Sequence, residues 1–254
     1  MEIGILPFDG IQDFKAIYQN YLKVYYQKTN IDIKPKLFIT SPGYYLYTLG
    51  HYIKLLKYLE KPRFVILTTI KRKSKKPVLY ANYLMCNGVN TISPDLRVVS
   101  ELLDLKTVNI TDLKKVPIDM YTFYNCLLEF YKDNIQITII NISDYCDANF
   151  VIKLFDYFKI SGLTVGMFNY LSDIRGYSTK KQVDQTSIRN MSQKNLIGIM
   201  KDKNMSARRL ICTFLSTYQG LNEIKVKPIL YTNSNDYNPD FEKSNGFASF
   251  LIYQ

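Results

Sequence analysis

The sequence predicts an α/β protein with a doubly wound, mostly parallel sheet of the Rossmann-like kind. Two observations lead to this fold class. The stretch from Asn134 to Asp144 contains five isoleucines in a nearly unbroken β-branched run, which is typical of a strand buried on both faces. Similar short apolar runs alternate along the chain with longer segments whose apolar residues recur at helical spacing. That alternation indicates βαβ units.

The elements of the first half follow from apolar spacing and turn residues. Ile11, Phe14 and Tyr18 begin a stripe at helical spacing, which predicts the first helix, and the later helices show the same pattern. The first strand is a compact apolar run that ends at Ser41-Pro42-Gly43. Helices are predicted at residues 11–27, 44–60, 96–105 and 117–132, strands at residues 37–40, 64–70 and 108–110, and either element at residues 78–85.

The second half continues the alternation after the central strand at residues 134–144. Helical spacing resumes at Asp147, and Ser161-Gly162 is expected to end that helix. Strands are predicted at residues 163–170, 223–231 and 247–253, exposed polar loops at 172–185 and 233–245, and helical or mixed structure at 187–200 and 207–218. The whole forms one predicted domain over residues 1–254, with an N-terminal helical lead-in at 1–30 and a helical elaboration at 172–222.

Composition fits a single large domain and is compatible with an acidic partner or RNA. The chain has 254 residues, is 47% hydrophobic and carries a net charge of +11, so a core can form without disulfides and RNA or an acidic protein could bind. The four cysteines show no paired spacing, which is typical of reduced thiols in the cytosol. No apolar run reaches the roughly 18 residues of a membrane span.

The carboxyl ends of the predicted parallel strands are where an α/β sheet binds its ligand. Asp144 ends the central strand at the position expected for a catalytic acid. The loop after the first strand should let backbone approach a cofactor, but Ser41 and Gly43 are followed by the bulky Tyr44 and Tyr45. The second strand ends without the acid that would hold a ribose. This pattern indicates an eroded nucleotide site with no bound cofactor.

Cap ribose 2′-O-methyltransferases use a Lys-Asp-Lys-Glu set to deprotonate the ribose hydroxyl, and this chain holds only part of such a set. Lys15, Asp144 and Glu223 supply three vestigial candidates, but the strand at residues 163–170 offers no lysine. Another register uses Asp173 and Arg209, and arginine cannot give up its proton. An active S-adenosylmethionine-dependent enzyme is therefore the alternative hypothesis.

Two further groups are candidates for binding or catalysis. A basic run of Lys71, Arg72, Lys73, Lys75 and Lys76 follows the second strand and is a candidate contact for phosphate or for an acidic partner. The single histidine, His51, has no nucleophile motif nearby, so packing or surface placement is preferred over a general-base role.

The central region resembles the small subunit of the poxvirus mRNA-capping enzyme. The resemblance lies in Ile142-Ser143-Asp144-Tyr145, in the helix containing Leu154-Phe155-Asp156-Tyr157, and in the apolar segment 163–168 that follows. Weaker similarities are Leu6-Pro7-Phe8 and the segment 87–102.

The resemblance implies a methyltransferase-like sheet with no activity of its own. Such a subunit binds the methyltransferase domain of the large capping subunit as a heterodimer and stimulates guanine-N7 methylation of the cap. We therefore expect a viral regulatory subunit without a cofactor or metal, in the host cytoplasm and packaged in the virion. The alternatives are the active ribose methyltransferase and a basic RNA-binding accessory protein.

Overall fold

The computed structural model describes residues 11–26, 35–43, 45–59, 63–69, 74–83, 94–113, 120–132, 135–172, 174–219, 224–237, 239 and 243–254. Its helices are α1 (Ile11–Tyr25), α2 (Tyr45–Leu56), α3 (Leu96–Asp104), α4 (Tyr121–Tyr131), α5 (Ala148–Ser161), α6 (Tyr177–Ser192), α7 (Leu196–Lys201) and α8 (Arg208–Gln219). Its strands are β1 (Pro35–Thr40), β2 (Arg63–Thr68), β3 (Val78–Tyr83), β4 (Asn109–Leu113), β5 (Gln136–Asn141), β6 (Thr164–Phe168), β7 (Ile174–Arg175), β8 (Lys225–Asn233), β9 (Lys243–Ser244) and β10 (Gly246–Tyr253).

Eight of the described strands form one mixed sheet in the order β4-β3-β5-β2-β6-β1-β10-β8. The four central strands β5, β2, β6 and β1 are parallel to one another. On one side β3 runs antiparallel to β5 and parallel to β4, and on the other β10 runs antiparallel to both β1 and β8. The α/β class is therefore confirmed, with a parallel centre and mixed flanks. The strand order differs from that of the common dinucleotide-binding sheet.

The sheet buries both faces under helices. Alternate residues of the central strands point to opposite sides: Phe64 and Ile66 of β2 join one core, and Val65 and Leu67 join the other. Helices α1, α2 and α4 cover the first core, and α3, α5, α6, α7 and α8 contribute to the second. The predicted central strand behaves as its sequence indicates, because Ile137 and Ile139 face one core and Ile140 the other.

Local sequence explains several element ends. Asp147 caps α5 by accepting a hydrogen bond of 2.9 Å from the amide of Asn149. The helix stops at Gly162, whose φ of 64° is the left-handed conformation that glycine adopts at little cost, as predicted. In β6, Gly166 makes room for the ring of Phe38 on neighbouring β1, which a Cβ at that position would meet.

Two segments predicted as exposed loops differ in the structure. Residues 233–245 include the end of β8, a short 3-10 helix at Ser234–Asp236 and strand β9, and Asn233, Ser234 and Ser244 are buried. Residues 172–185 were expected to be an exposed loop, but the structure places β7 and most of α6 there. The interior of α6 is polar, since Lys180 and Asp184 are both fully buried, so apolar periodicity could not reveal it. Residues 78–85, which fitted either element, include strand β3.

Candidate functional site

The loop after β1, the expected place of a cofactor in this kind of sheet, is filled by the protein itself. The hydroxyl of Ser41 bonds to Ala248 of β10, accepting from its amide at 3.1 Å, and the carbonyl of Ser41 accepts from Tyr52 at 3.1 Å. The ring of Phe247 covers Gly43 so closely that a Cβ there would lie 2.9 Å from it. Tyr44 lies outside the described residues, so the side chain that fills this loop in the structure is Phe247.

The end of β6 is also covered. Asn169 accepts a hydrogen bond of 3.0 Å from the amide of Ala207, just before α8. The backbone of Tyr170 and Ser206 is paired as well, with the amide of Ser206 donating to the carbonyl of Tyr170 at 2.9 Å. The segment leading into α8 therefore packs against the carboxyl end of β6, and the carboxyl ends of strands are where ligands bind in doubly wound sheets.

The vestigial catalytic candidates are not brought together. Asp144 is exposed in the turn after β5, with a carboxylate oxygen 3.9 Å from the guanidinium of Arg209 on α8. Lys15 is exposed on α1, in the helical layer on the other face of the sheet. Glu223 and Asp173 lie outside the described residues. Lys15 is therefore neither buried nor beside Asp144, as the methyltransferase set would require.

The basic run after β2 is described only in part. Lys71, Arg72 and Lys73 lie outside the described residues, and Lys75 is exposed. Lys76 already has structural contacts, since its ammonium donates to the carbonyl of Lys106 at 3.2 Å and lies 4.8 Å from the centre of the Phe150 ring. Of the two described lysines, only Lys75 remains a simple candidate for an external phosphate or acid.

His51 is the centre of a buried chain of hydrogen bonds. Its Nε2 lies 2.9 Å from the hydroxyl of Thr232 and its Nδ1 lies 2.9 Å from the hydroxyl of Ser249. Because Thr232 donates its own proton to the carbonyl of Tyr47 at 3.0 Å, it must accept from Nε2. In the neutral ring Nδ1 then accepts from Ser249, and Ser249 in turn accepts from Thr40 at 2.8 Å. This arrangement needs no second proton on the imidazole.

Burial reinforces this assignment. Loss of solvation, with a smaller contribution from the charge of Lys54, lowers the pKa of His51 to about 3. A base with this pKa, already bonded at both nitrogens, cannot take a proton from a substrate near neutral pH. The structure thus agrees with packing rather than general-base catalysis for His51.

A second buried polar cluster was missed by sequence reasoning. The ammonium of Lys180 donates to Asp184 at 2.6 Å and to Asn204 at 2.9 Å, and Tyr231 of β8 donates to the other oxygen of Asp184 at 2.9 Å. Burial raises the pKa of the Tyr231 hydroxyl, so it remains a donor. The only available signal was a Lys-Asp pair four residues apart, which is usually a solvated helix face.

This cluster is structural rather than catalytic. Lys180 and Asp184 are both fully buried, and the amide of Asn204 completes the set by donating to Asp184 at 2.8 Å and to Ser187 at 3.1 Å. Such a fully bonded ion pair fixes the position of α6 against β8. Among the described residues no group of three or more His, Cys, Asp or Glu side chains is placed to hold a metal ion.

Comparisons with known proteins place the fold but no family. No protein-family model matches the chain, and no curated protein matches its sequence. Among solved structures, the uncharacterized protein JW3007 of Escherichia coli K12 aligns with a TM-score of 0.58 and 10% identity, covering 85% of this chain and 98% of that one. This likeness shows the α/β fold alone. In the part of the chain that the structure describes, no helix is long and apolar enough to cross a bilayer.

Proposed function

We propose that this chain is a non-catalytic regulatory subunit of a viral mRNA-capping enzyme, which binds the large subunit and raises guanine-N7 methylation of the cap. The absence of catalysis in this proposal rests on the covered carboxyl ends of two strands. Phe247 covers Gly43 after β1, and the segment before α8 covers the end of β6. The partner and the methyltransferase type of the sheet come from the sequence resemblance at residues 142–168.

Exposed apolar side chains support a protein partner. Ile160 on α5 is 87% exposed and Ile197 on α7 is 71% exposed, and further large apolar groups are exposed in the same helical layer. They are Leu96 and Leu103 on α3, Ile152 on α5 and Met200 on α7. Apolar groups concentrated on one side are typical of a recognition surface. Regulation would follow if the partner's active state makes these contacts and its inactive state does not.

Co-expression with the large capping subunit tests the proposal. We expect the two chains to co-purify and cap N7-methylation to rise when this chain is added. Ile160→Glu and Ile197→Glu should abolish both effects, since a buried charge disrupts an apolar interface. Gln19→Glu is the control, because Gln19 is exposed on α1 in the opposite layer and gains the same charge. Unchanged methylation on adding the wild-type chain would reject the proposal.

Calorimetric titration with S-adenosylmethionine tests the catalytic alternative. We expect no binding to the wild-type chain, because the loop after β1 is occupied by Phe247. Phe247→Ala opens that space and shows whether a filled loop is the obstacle. Stoichiometric binding to the wild-type chain would support an active ribose methyltransferase instead.

A further inference from the structure

A cavity of about 310 Å³ lies on the side of the sheet covered by α1 and α2. It is partly open to solvent and is lined by the end of α1, by the end of α2 with Tyr58 just beyond it, and by strand β8 at the edge of the described sheet. Lys227 of β8 pairs with Leu251 of β10, which pairs with Phe38 in the middle of β1. The cavity shares no lining residue with the covered strand ends described above.

Three lysines converge on this cavity from two elements. The ammonium groups of Lys57 and Lys227 lie 5.0 and 5.9 Å from the centre of the same Tyr58 ring, and that of Lys54 lies 5.7 Å from the centre of the Tyr25 ring. Tyr58 is 4% exposed, so its ring is a fixed platform. Cation–π contacts of this kind hold an ammonium group in place without neutralising its charge.

No acid offsets these charges within the described part of the chain. None of the cavity's described lining residues carries a carboxylate, and none of the three lysines forms an ion pair with a described acid. Three like charges around one space repel one another in the empty protein. A bound anion relieves that repulsion, so the arrangement selects for negative charge.

The lining also indicates which anion. Lysine ammonium groups act as point charges suited to phosphate oxygens, whereas planar carboxylates are better matched by arginine. Pro228 and Ile229 add apolar wall, against which a sugar or base can pack. The volume is at the lower end of small-molecule pockets. Lys225, exposed on β8 two residues before Lys227, lies on the same strand face and continues the positive charge beyond the cavity.

We propose that this cavity binds a phosphate ester, either in a free nucleotide or in a single-stranded nucleic acid. The site shares no residue with the basic run at residues 71–76 and does not depend on the proposed regulatory function.

The test measures binding of a labelled 12-nucleotide oligouridylate by fluorescence anisotropy, with ATP and inorganic phosphate as competitors. The variant Lys54→Gln/Lys57→Gln/Lys227→Gln should bind at least about tenfold more weakly at low salt. The slope of log affinity against log salt concentration should become less negative by about 2, since three phosphate contacts are lost and each contributes about 0.7 on a single strand. Lys153→Gln/Lys201→Gln/Lys203→Gln removes the same charge from exposed positions elsewhere, and should change affinity less than about twofold.

A second variant keeps charge constant. Val24 lines the cavity and is 68% exposed, so Val24→Trp should block the site without perturbing the core and should weaken binding by a similar factor. Tighter binding of the oligonucleotide than of ATP identifies a strand as the source of phosphate, and equal binding identifies a nucleotide. The proposal is overturned if the two triple variants lose affinity equally, if Val24→Trp binds normally, if no phosphate probe binds the wild-type chain, or if a glutamate-rich peptide competes as well as the oligonucleotide.

Discussion

His51 shows how one buried side chain can set the pH dependence of the whole protein. The folded protein holds the imidazole neutral, with a pKa of about 3, whereas an unfolded histidine titrates near 6.5. Between these values the unfolded chain binds a proton that the folded chain does not. Stability therefore falls as the pH drops below about 6.5 and is unaffected by this group above it.

The variant His51→Gln tests this linkage, because glutamine can keep a hydrogen bond and cannot titrate. From pH 7.5 to pH 5 the wild-type free energy of unfolding should fall by about 2 kcal/mol more than that of the variant. Urea denaturation at both pH values measures the difference. Equal losses in the two proteins would mean that His51 is not buried in its neutral form.

The buried pair of Lys180 and Asp184 gives a second prediction at this scale. Lys180→Met leaves the carboxylate of Asp184 buried without its cation, which should destabilise the protein by about 3–5 kcal/mol. The double variant Lys180→Met/Asp184→Asn should recover part of that loss, because no buried charge remains. The exposed pair of Arg97 and Glu101 has the same spacing, so Arg97→Met is the control and should change little. An equally small effect of Lys180→Met would argue against full burial.

The functional candidates illustrate what single residues can and cannot reveal. Asp144 was placed correctly after the central strand. The direction of its side chain depends on the turn that carries it, and in the structure this side chain points to solvent. The covering of Gly43 by Phe247 joins residues about two hundred positions apart. Local patterns carry no information about such a contact, so erosion of the loop was predicted from Tyr44 and Tyr45, while the structure shows Phe247 filling it.

At the scale of elements, the end of α5 offers a clean test of backbone conformation. Gly162 has a φ of 64°, and a Cβ added there would meet no atom within 4 Å. Gly162→Ala should therefore cost about 1 kcal/mol from the left-handed backbone alone. Gly162→Asn should cost less, since asparagine tolerates that conformation. Thermal unfolding monitored by circular dichroism compares the two, and equal losses would contradict the backbone explanation.

Elements with apolar spacing were predicted well, whereas the direction of the flanking strands and the existence of helix α6 were not. Strand β5 and helix α5 lie close to their expected positions because Ile137–Ile140 and Leu154–Phe155 follow the burial that the sheet and helix impose. Strand direction was missed, since an apolar run such as β3 reads the same in either orientation. Helix α6 was missed because its buried residues are a charged pair and partners, which composition assigns to a surface loop.

The whole molecule depends on β10. This strand lies between β1 and β8 and pairs with both, and its residues Leu251 and Phe250 enter the two opposite cores. A chain that stops after Asn245 would expose the edge of β1 and leave β8 without its neighbour in the sheet. We expect that variant to lose near-ultraviolet circular dichroism and cooperative unfolding. Removing only Gln254, which is exposed, should change neither, and a cooperative transition in the longer truncation would contradict this account.

The place of β10 also bears on how the protein is made. During translation β10 leaves the ribosome after every other strand of the described sheet, yet it occupies an interior position. Until it arrives, β1 presents an unpaired edge in the nascent chain, and such an edge can pair with other chains. Production in cells should therefore depend on how long that intermediate persists, and slow decoding of the codons before Gly246 should lower the yield of soluble protein.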